Sequence, residues 1–579
     1  MLVLKLCRGT MKKSVRLIPL LALLLAACQP EAASTPVPSS TTLPPTATPL
    51  APPSLWISPA VPDALREWAA SWNIPAAVDP ASANFQLQVS DPTSAAPVAA
   101  LVWTYALVAP FPTVMDGVSL AELQAAWSGS PSTPLAGQPF FMSESTLAAL
   151  TGQWGEPAPG LVKTLPADQL LDAAWAQLPS LAILPFESLS PRWKVLAVDG
   201  QSPVHKDFDP AAYPLQIDFA LLQTAPSALD ASAFTLPALN RDPSKMTTVI
   251  MTGVTALVRA TAKTMEVKGV TYPGRDIRDI MRAADIAHIS NEIPFYTGCD
   301  YPNPSRAKLV FCSDPRYIDL LTDIGTDVIE LTGNHFGDYG ANATLETLAI
   351  YKEKGLPYFG GGADLADSLK PALMQDHGNK IAFIGCNRPD VGGFPTATVS
   401  RPGAAPCDFD YLPKKISELR DQGYVVIATF QWNESYDPKP HPAQLHDFRL
   451  LAEAGASVVS GSQAHLSQTM EFDGDSFLHY GLGNLFFDQM NFPCAGKCRR
   501  EFMDRYIIYD GKLISAELLT NMLEDYARPR PMTADERAAF LEEYFVKSGW
   551  LPLFPTPVPP PTVTLTPLSL PEPVYTPTP

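Results

Sequence analysis

Between Met246 and Gly549 a short apolar run breaks again and again into a polar or glycine-containing motif. Val249-Ile250-Met251 leads to T-G-V-T, Ala284 to Ile289 to S-N-E, and Val328-Ile329 to G-N-H. Ile381 to Ile384 leads to G-C-N, and Tyr424 to Phe430 to Q-W-N-E. Val458-Val459 leads to S-G-S-Q-A-H, and Phe477 to Tyr480 to G-L-G-N. Helical patterns lie between several of these, such as Leu345, Leu348 and Ala349 closed by Gly355. Strands that carry motifs at their carboxyl ends and are separated by helices predict an α/β sheet with one shared rim, where such folds collect their chemistry. The stretch L-T-G-N-H-F-G-D-Y-G from Leu331 to Gly340 sets Asn334, His335 and Asp338 in one turn. Those side chains are ligand types for a hard or borderline divalent metal.

At 579 residues the chain has room for several domains. Its net charge is −18, although Lys5, Arg8, Lys12, Lys13 and Arg16 crowd an acid-free start. This acidic balance, with no basic run elsewhere, argues against a nucleic-acid partner. M-K-K-S-V-R from Met11, the apolar run Leu17 to Ala27 and L-A-A-C ending at Cys28 resemble a bacterial lipoprotein signal with its lipobox over residues 1–28. The resemblance implies cleavage before Cys28, a lipid anchor on its sulfur and an extracytoplasmic location at the cell membrane. The alternative is an ordinary signal peptide with an incidental cysteine. Residues 29–54 and 550–579 are rich in Pro, Thr and Ser and read as extended spacers that bury too little apolar surface to order.

Apart from Cys7 and Cys28, six cysteines remain: Cys299, Cys312, Cys386, Cys407, Cys494 and Cys498. An even number in an exported chain suggests disulfides, and proximity in sequence pairs 299 with 312, 386 with 407 and 494 with 498. A metal site built on C-A-G-K-C is the rival reading, but no second pair or nearby histidine completes a tetrahedral set.

Residues 55–239 form a first region. W-T-Y-A-L-V (Trp103 to Val108) reads as a buried strand, and S-L-A-E-L-Q-A-A-W-S-G as a helix with a capping box from Ser119 and Glu122, ended by Gly129. L-A-I-L-P-F and W-K-V-L-A-V-D-G supply two further strands. The order resembles solute-binding proteins of the phosphate-binding type, which implies an amino-terminal α/β periplasmic-binding-protein-like domain. No Ser/Thr/Gly cluster marks a phosphate cradle, so its ligand stays open.

The second region, 246–549, resembles the CapA family of capsule and poly-γ-glutamate synthesis proteins. The resemblance rests on T-G-V-T-A-L-V-R, A-D-I-A-H-I-S-N-E, L-T-G-N-H-F-G-D-Y-G, K-I-A-F-I-G, V-V-I-A-T-F-Q-W-N-E-S-Y, G-S-Q-A-H-L and Y-G-L-G-N-L-F-F in family order. It implies a calcineurin-like metallophosphoesterase fold, a four-layer α/β/β/α sandwich with a metal site at the rim. Carried over residue by residue, it places Glu292, Asn334 and His465 as metal ligands and His335 as the catalytic residue. Asn291, Asp338, Gln431, Gln463 and Asn484 become substrate-binding or site-shaping. Three positions depart from the pattern. The family's G-D is Gly253-Val254 here, its H-W-G begins with Gln431, and the inner histidine of its G-H-H-P-H is Gln463. Valine cannot coordinate and glutamine is a poor exchange for imidazole, so a divalent metal, Mn or Zn, is expected to be held weakly or not at all. His441 and His479 lie near the motifs, yet read best as a solvated loop residue and a packed strand residue, and His288 as a core residue.

Three functions follow from this reading. One is a hydrolase or transferase in which His335 is a general acid and a metal orients water. Another is a non-catalytic binding or scaffold lipoprotein that partners a cell-envelope polymer or its synthesis machinery. The third is a tethered solute-binding module with an accessory CapA-like domain. The anchor can be tested directly: Cys28→Ala is expected to shift the chain from the membrane to the soluble fraction on cell fractionation, and an unchanged distribution refutes lipidation.

Overall fold

Strand β1 (Met246–Thr252) is buried at every position, and its side chains sort by parity. Val249 and Met251 enter one apolar layer, while Ile250 enters another. The same division holds in β2 (Ile286–Asn291), where Ile286 joins the first layer and Ala287 and Ile289 the second. A strand buried on both faces needs cover on both, which is why these segments read as continuous apolar runs.

The computed structural model describes residues 51–551 except 92–95, 131, 230–233, 238, 306–307, 389–395 and 492. The signal segment with Cys7 and Cys28, the spacer up to residue 50 and the tail from 552 lie outside the described residues. Among the described residues no helix is long and apolar enough to cross a membrane.

In the second region β1 is flanked by β2 and by Arg500–Tyr509, and the sheet runs on through Val328–Glu330 and Tyr358–Phe359 on one side. On the other side Lys512–Glu524 and Arg528–Pro531 complete it. A second, six-stranded sheet has parallel inner strands β3 (Asn379–Asn387), β4 (Tyr424–Ser435), β5 (Val458–Ala464) and β6 (Ser476–His479). Val249, Ile286, Val328, Phe502 and Tyr506 of the first sheet pack against Ile381, Phe383, Ile427, Val458 and Phe477 of the second. Helices Arg259–Lys268, Ile318–Asp323 and Gly340–Lys354 cover the outer face of one sheet, and Leu412–Asp421 and Pro442–Glu453 that of the other. This is a four-layer α/β/β/α sandwich. Helix Gly340–Lys354 ends on Gly355 at φ +71°, a left-handed cap that glycine takes without steric cost.

The first region is α/β as well. Its sheet is organised on the twelve-residue strand Ala99–Pro110, which pairs antiparallel with Gln216–Gln223 along its first half and with Leu181–Pro185 and Trp193–Val198 along its second. The expected capping box forms: the Ser119 amide donates to Glu122 Oε2 at 2.8 Å and the Glu122 amide to Ser119 Oγ at 3.2 Å, opening helix Leu120–Trp127. The cysteines join as the neighbouring pairs 299–312, 386–407 and 494–498.

The two regions share apolar surface. Phe111, at the end of the long strand, lies 5.0 Å from Phe472, 5.3 Å from Phe477 and 5.5 Å from Trp550, ring centre to ring centre. Met246, Ile507 and Ile514 pack in turn among Val108, Leu184 and Trp193. Truncating a buried aromatic both removes its burial and leaves a cavity, so Phe111→Ala is expected to cost about 3–5 kcal/mol. Urea unfolding followed by tryptophan fluorescence measures this, and a loss near zero would show that the contact contributes nothing to stability.

Candidate functional site

The parallel strands deliver their carboxyl ends to one rim, and the residues singled out in the sequence arrive there from both sheets. Glu292 follows β2, and Asn334 and His335 lie in the turn after Val328–Glu330. Gln431 lies within β4 and Gln463 within β5. Gly333 permits the approach, because a Cβ there would stand 2.3 Å from the Glu292 carbonyl oxygen. Gln463 holds φ at +76°, the left-handed region, with its side chain turned into the cluster.

Gln431 is the centre of this group. Its Nε2 donates to Asn334 Oδ1 at 3.2 Å and to Glu292 Oε1 at 3.5 Å, and also to Gln463 Oε1. Asn387 sets that orientation. Its Nδ2 donates to Gln431 Oε1 at 2.6 Å and to the Thr332 carbonyl at 2.7 Å, so the Gln431 oxygen faces Asn387 and its nitrogen faces the acceptors. The sequence reading missed Asn387 as a site residue, although it is the last residue of the G-C-N motif and pairs in register with Gln431.

Two histidine pairs flank this cluster. His335 Nδ1–H donates to Asp338 Oδ2 at 2.6 Å, and the same oxygen accepts from the Phe311 amide at 2.8 Å. Burial pulls the His335 pKa down, but the Asp338 hydrogen bond and the negative charges of Glu292, Asp338 and Glu434 outweigh it and raise the pKa above its ordinary 6.5. His465 Nδ1–H donates to Asn484 Oδ1 at 2.8 Å, while Asn484 Nδ2 donates to the His465 and Gln489 carbonyls at 3.3 and 3.2 Å. This fixes the tautomer and leaves the His465 Nε2 lone pair as an acceptor. A cation ties the two pairs together. Arg259, at φ +49°, pairs with Asp488 and lies 5.0 Å from both the Phe311 and Phe487 rings. Phe311 is 4.7 Å from the His335 ring and Phe487 5.0 Å from that of His465. Arg259 ends the T-G-V-T-A-L-V-R block, but its partners come from far along the chain. Tyr436, whose hydroxyl donates to Glu434, closes the His465 side at 5.9 Å between rings.

The remaining candidates are placed elsewhere. Asn291 turns into the helix layer, donating to the Ile293 carbonyl at 2.7 Å and the Tyr351 hydroxyl at 2.8 Å, so it supports the Glu292 turn from behind. His441 caps helix Pro442–Glu453, His479 bonds Asp504 at 2.7 Å between the sheets, and buried His288 bonds Glu330 at 3.1 Å.

Residues 248–489 match the family described as bacterial capsule synthesis protein PGA_cap. The second region is thus CapA-like over residues 248–489. It is 27% identical over 247 residues to the capsule biosynthesis protein CapA of Bacillus anthracis, covering 39% of this chain and 60% of that protein. It is also 27% identical over 232 residues to the PGA biosynthesis protein CapA of Bacillus subtilis, covering 40% of this chain and 60% of that one. The chain therefore spans about 60% of the length of these curated relatives. A solved ABC-type phosphate transport receptor from Vibrio cholerae aligns over 31% of this chain and 89% of its own, at 12% identity and a TM-score of 0.26.

At the CapA-like rim two positions supply no ligand to a pair of divalent cations as they stand. Such a centre needs anionic or imidazole ligands on both metals. Val254 is buried in the short strand Val254–Thr255 and offers no donor atom, and Gln431 presents N–H groups where lone pairs are required. A single cation would need Gln431 to turn its amide out from among the three oxygens. Among the described residues, the one place where three His, Cys, Asp or Glu donor atoms lie within 4.8 Å of one another is Asp285, Asp376 and His377, just before β2 and β3 in the chain.

The His335 pair is open to measurement. Because its folded pKa is raised, the stabilisation it contributes is full below the ordinary value of 6.5 and is lost as pH rises through the folded value. Asp338→Asn removes the negative partner and is expected to lower the His335 titration midpoint, read by NMR on the imidazole protons. An unchanged midpoint would mean that Asp338 does not set its charge.

Proposed function

We propose that this chain is an exported, lipid-anchored CapA-like accessory protein of capsule-type or poly-glutamate-type polymer synthesis, which binds polymer or synthesis machinery rather than hydrolysing it with two metals. What supports this reading is the Gln431 amide, seated as a hydrogen-bond donor among Glu292, Asn334 and Gln463 at the position where a cation would take their oxygens. With the oxygens of Asn334 and Gln463 taken by Gln431, the amide nitrogens of those two residues and the Asp338-held His335 are the groups suited to carboxylate or carbonyl oxygens of a polar polymer. Within it Asp338 and Asn484 hold the two histidines in position. Cys28 lies outside the described residues and the spacer after it would carry the domains away from the membrane surface.

Metal content of the purified chain tests this. Wild type dialysed against Mn or Zn is expected to retain little metal by mass spectrometry. The variant Val254→Asp/Gln431→His/Gln463→His, which returns one carboxylate and two imidazoles to the rim, is expected to gain it. Near-stoichiometric metal in wild type that disappears in His465→Ala would overturn the binding reading and restore a metal-dependent hydrolase.

A further inference from the structure

A cavity of about 280 Å³ is lined by residues of both regions. It exists because Arg528–Pro531 pairs only with Asn521–Glu524 of the long strand Lys512–Glu524. The earlier part of that strand's edge faces Lys194, Val195 and Ala197 of the first region across a gap. Phe111, Leu518, Leu541 and Phe545 make an apolar wall.

The rest of the lining includes charged groups that are already paired. Asp116 accepts from Lys194 Nζ at 2.7 Å and from two Arg537 nitrogens at 2.9 Å each, while Arg537 Nη1 also donates to the Leu518 carbonyl at 2.6 Å. Glu517, also in the lining, accepts from Arg505 at 2.5 Å and bonds His205 at 2.9 Å. Burial raises the Glu517 pKa, but Arg505 and His205 override it and hold the pKa at about 2; Asp116 is held low in the same way by Arg537 and Lys194. Both carboxylates are therefore ionised near neutral pH. Lys194, Arg505 and Arg537 outnumber them, leaving a surplus of positive charge before His205 is counted.

Two polar groups in the lining are left over. Ser202 Oγ and Asn521 Nδ2 belong to residues only 4% and 2% exposed, and neither has a hydrogen-bond partner among the described residues. A buried donor without a partner has given up water and gained nothing in return, and here two border the same space.

We propose that this cavity binds a small carboxylate with an apolar body. Its oxygens accept from Ser202 and Asn521, its body lies against Phe111, Leu518, Leu541 and Phe545, and its charge offsets the positive surplus in the lining. The volume suits a small molecule rather than a polymer segment. The assignment is independent of the polymer-binding reading, since the cavity and the rim share no residue.

Calorimetric titration of the full chain tests it, with hexanoate, phenylacetate and 3-phenylpropionate as probes and their primary amides as uncharged controls. Saturable binding of at least one carboxylate is expected, with its amide weaker by roughly tenfold or more. Ser202→Ala and Asn521→Leu are each expected to weaken that binding by a similar factor. Both remove an unpartnered buried group, so thermal unfolding without ligand is expected to stay cooperative at an unchanged or higher midpoint. Ala516→Leu, which fills the cavity, is expected to abolish binding, while His335→Ala at the rim leaves it unchanged. The proposal is overturned if folded wild type binds none of the carboxylates, if the amides bind equally well, or if the Ser202 and Asn521 variants bind like wild type, which would leave water as the occupant.

Discussion

Parity along the inner strands is the constraint on which the second region depends. With Val249 and Met251 committed to the space between the sheets and Ile250 to the helices, a register slip of one residue would move every apolar side chain to the wrong layer. The register is therefore held tightly, and with it the place where each strand stops. Glu292, Asn334, Gln431 and Gln463 come from four separate segments, yet they meet because each follows, or lies near the end of, a strand whose position the core has fixed.

The rim converts that placement into a particular chemistry through amide orientation. Asn387 anchors on the Thr332 carbonyl and takes the Gln431 oxygen, so the Gln431 nitrogen faces three acceptors. A side chain with one donor end and one acceptor end thus gives the cluster a hydrogen-bond polarity opposite to that of a metal centre, which needs converging lone pairs. The flanking histidines are oriented by the same kind of neighbour, Asp338 on one side and Asn484 on the other, and Arg259 spans them through Phe311 and Phe487. The first region contributes elsewhere, through Phe111 in the inter-sheet core and through Asp116 and Lys194 on the wall of the interlobe cavity.

Much of this was legible from the chain alone, for reasons that can be named. Strand and helix order, the Ser119 and Glu122 capping box, the Gly355 cap and the neighbouring cysteine pairs depend on residues close in sequence. Asp338 shows the boundary: its place in one turn with His335 is a local fact, but its hydrogen bonds with His335 and the Phe311 amide depend on how the turn closes. Asn291 stands next to Glu292 and was read as substrate-binding or site-shaping, yet strand alternation sends it into the helix layer.

Sequence by itself determined the succession of doubly buried strands and the chemical types available at their ends, because hydrophobic periodicity and side-chain chemistry are local properties. Only the tertiary structure decided which of those ends meet, which way the Gln431 amide turns, that Arg259 finds Asp488, and that an unpaired stretch of strand edge faces Lys194 across a cavity. Each of these requires residues tens or hundreds of positions apart to be brought within hydrogen-bonding or packing distance, and that geometry exists only once the sheets have packed.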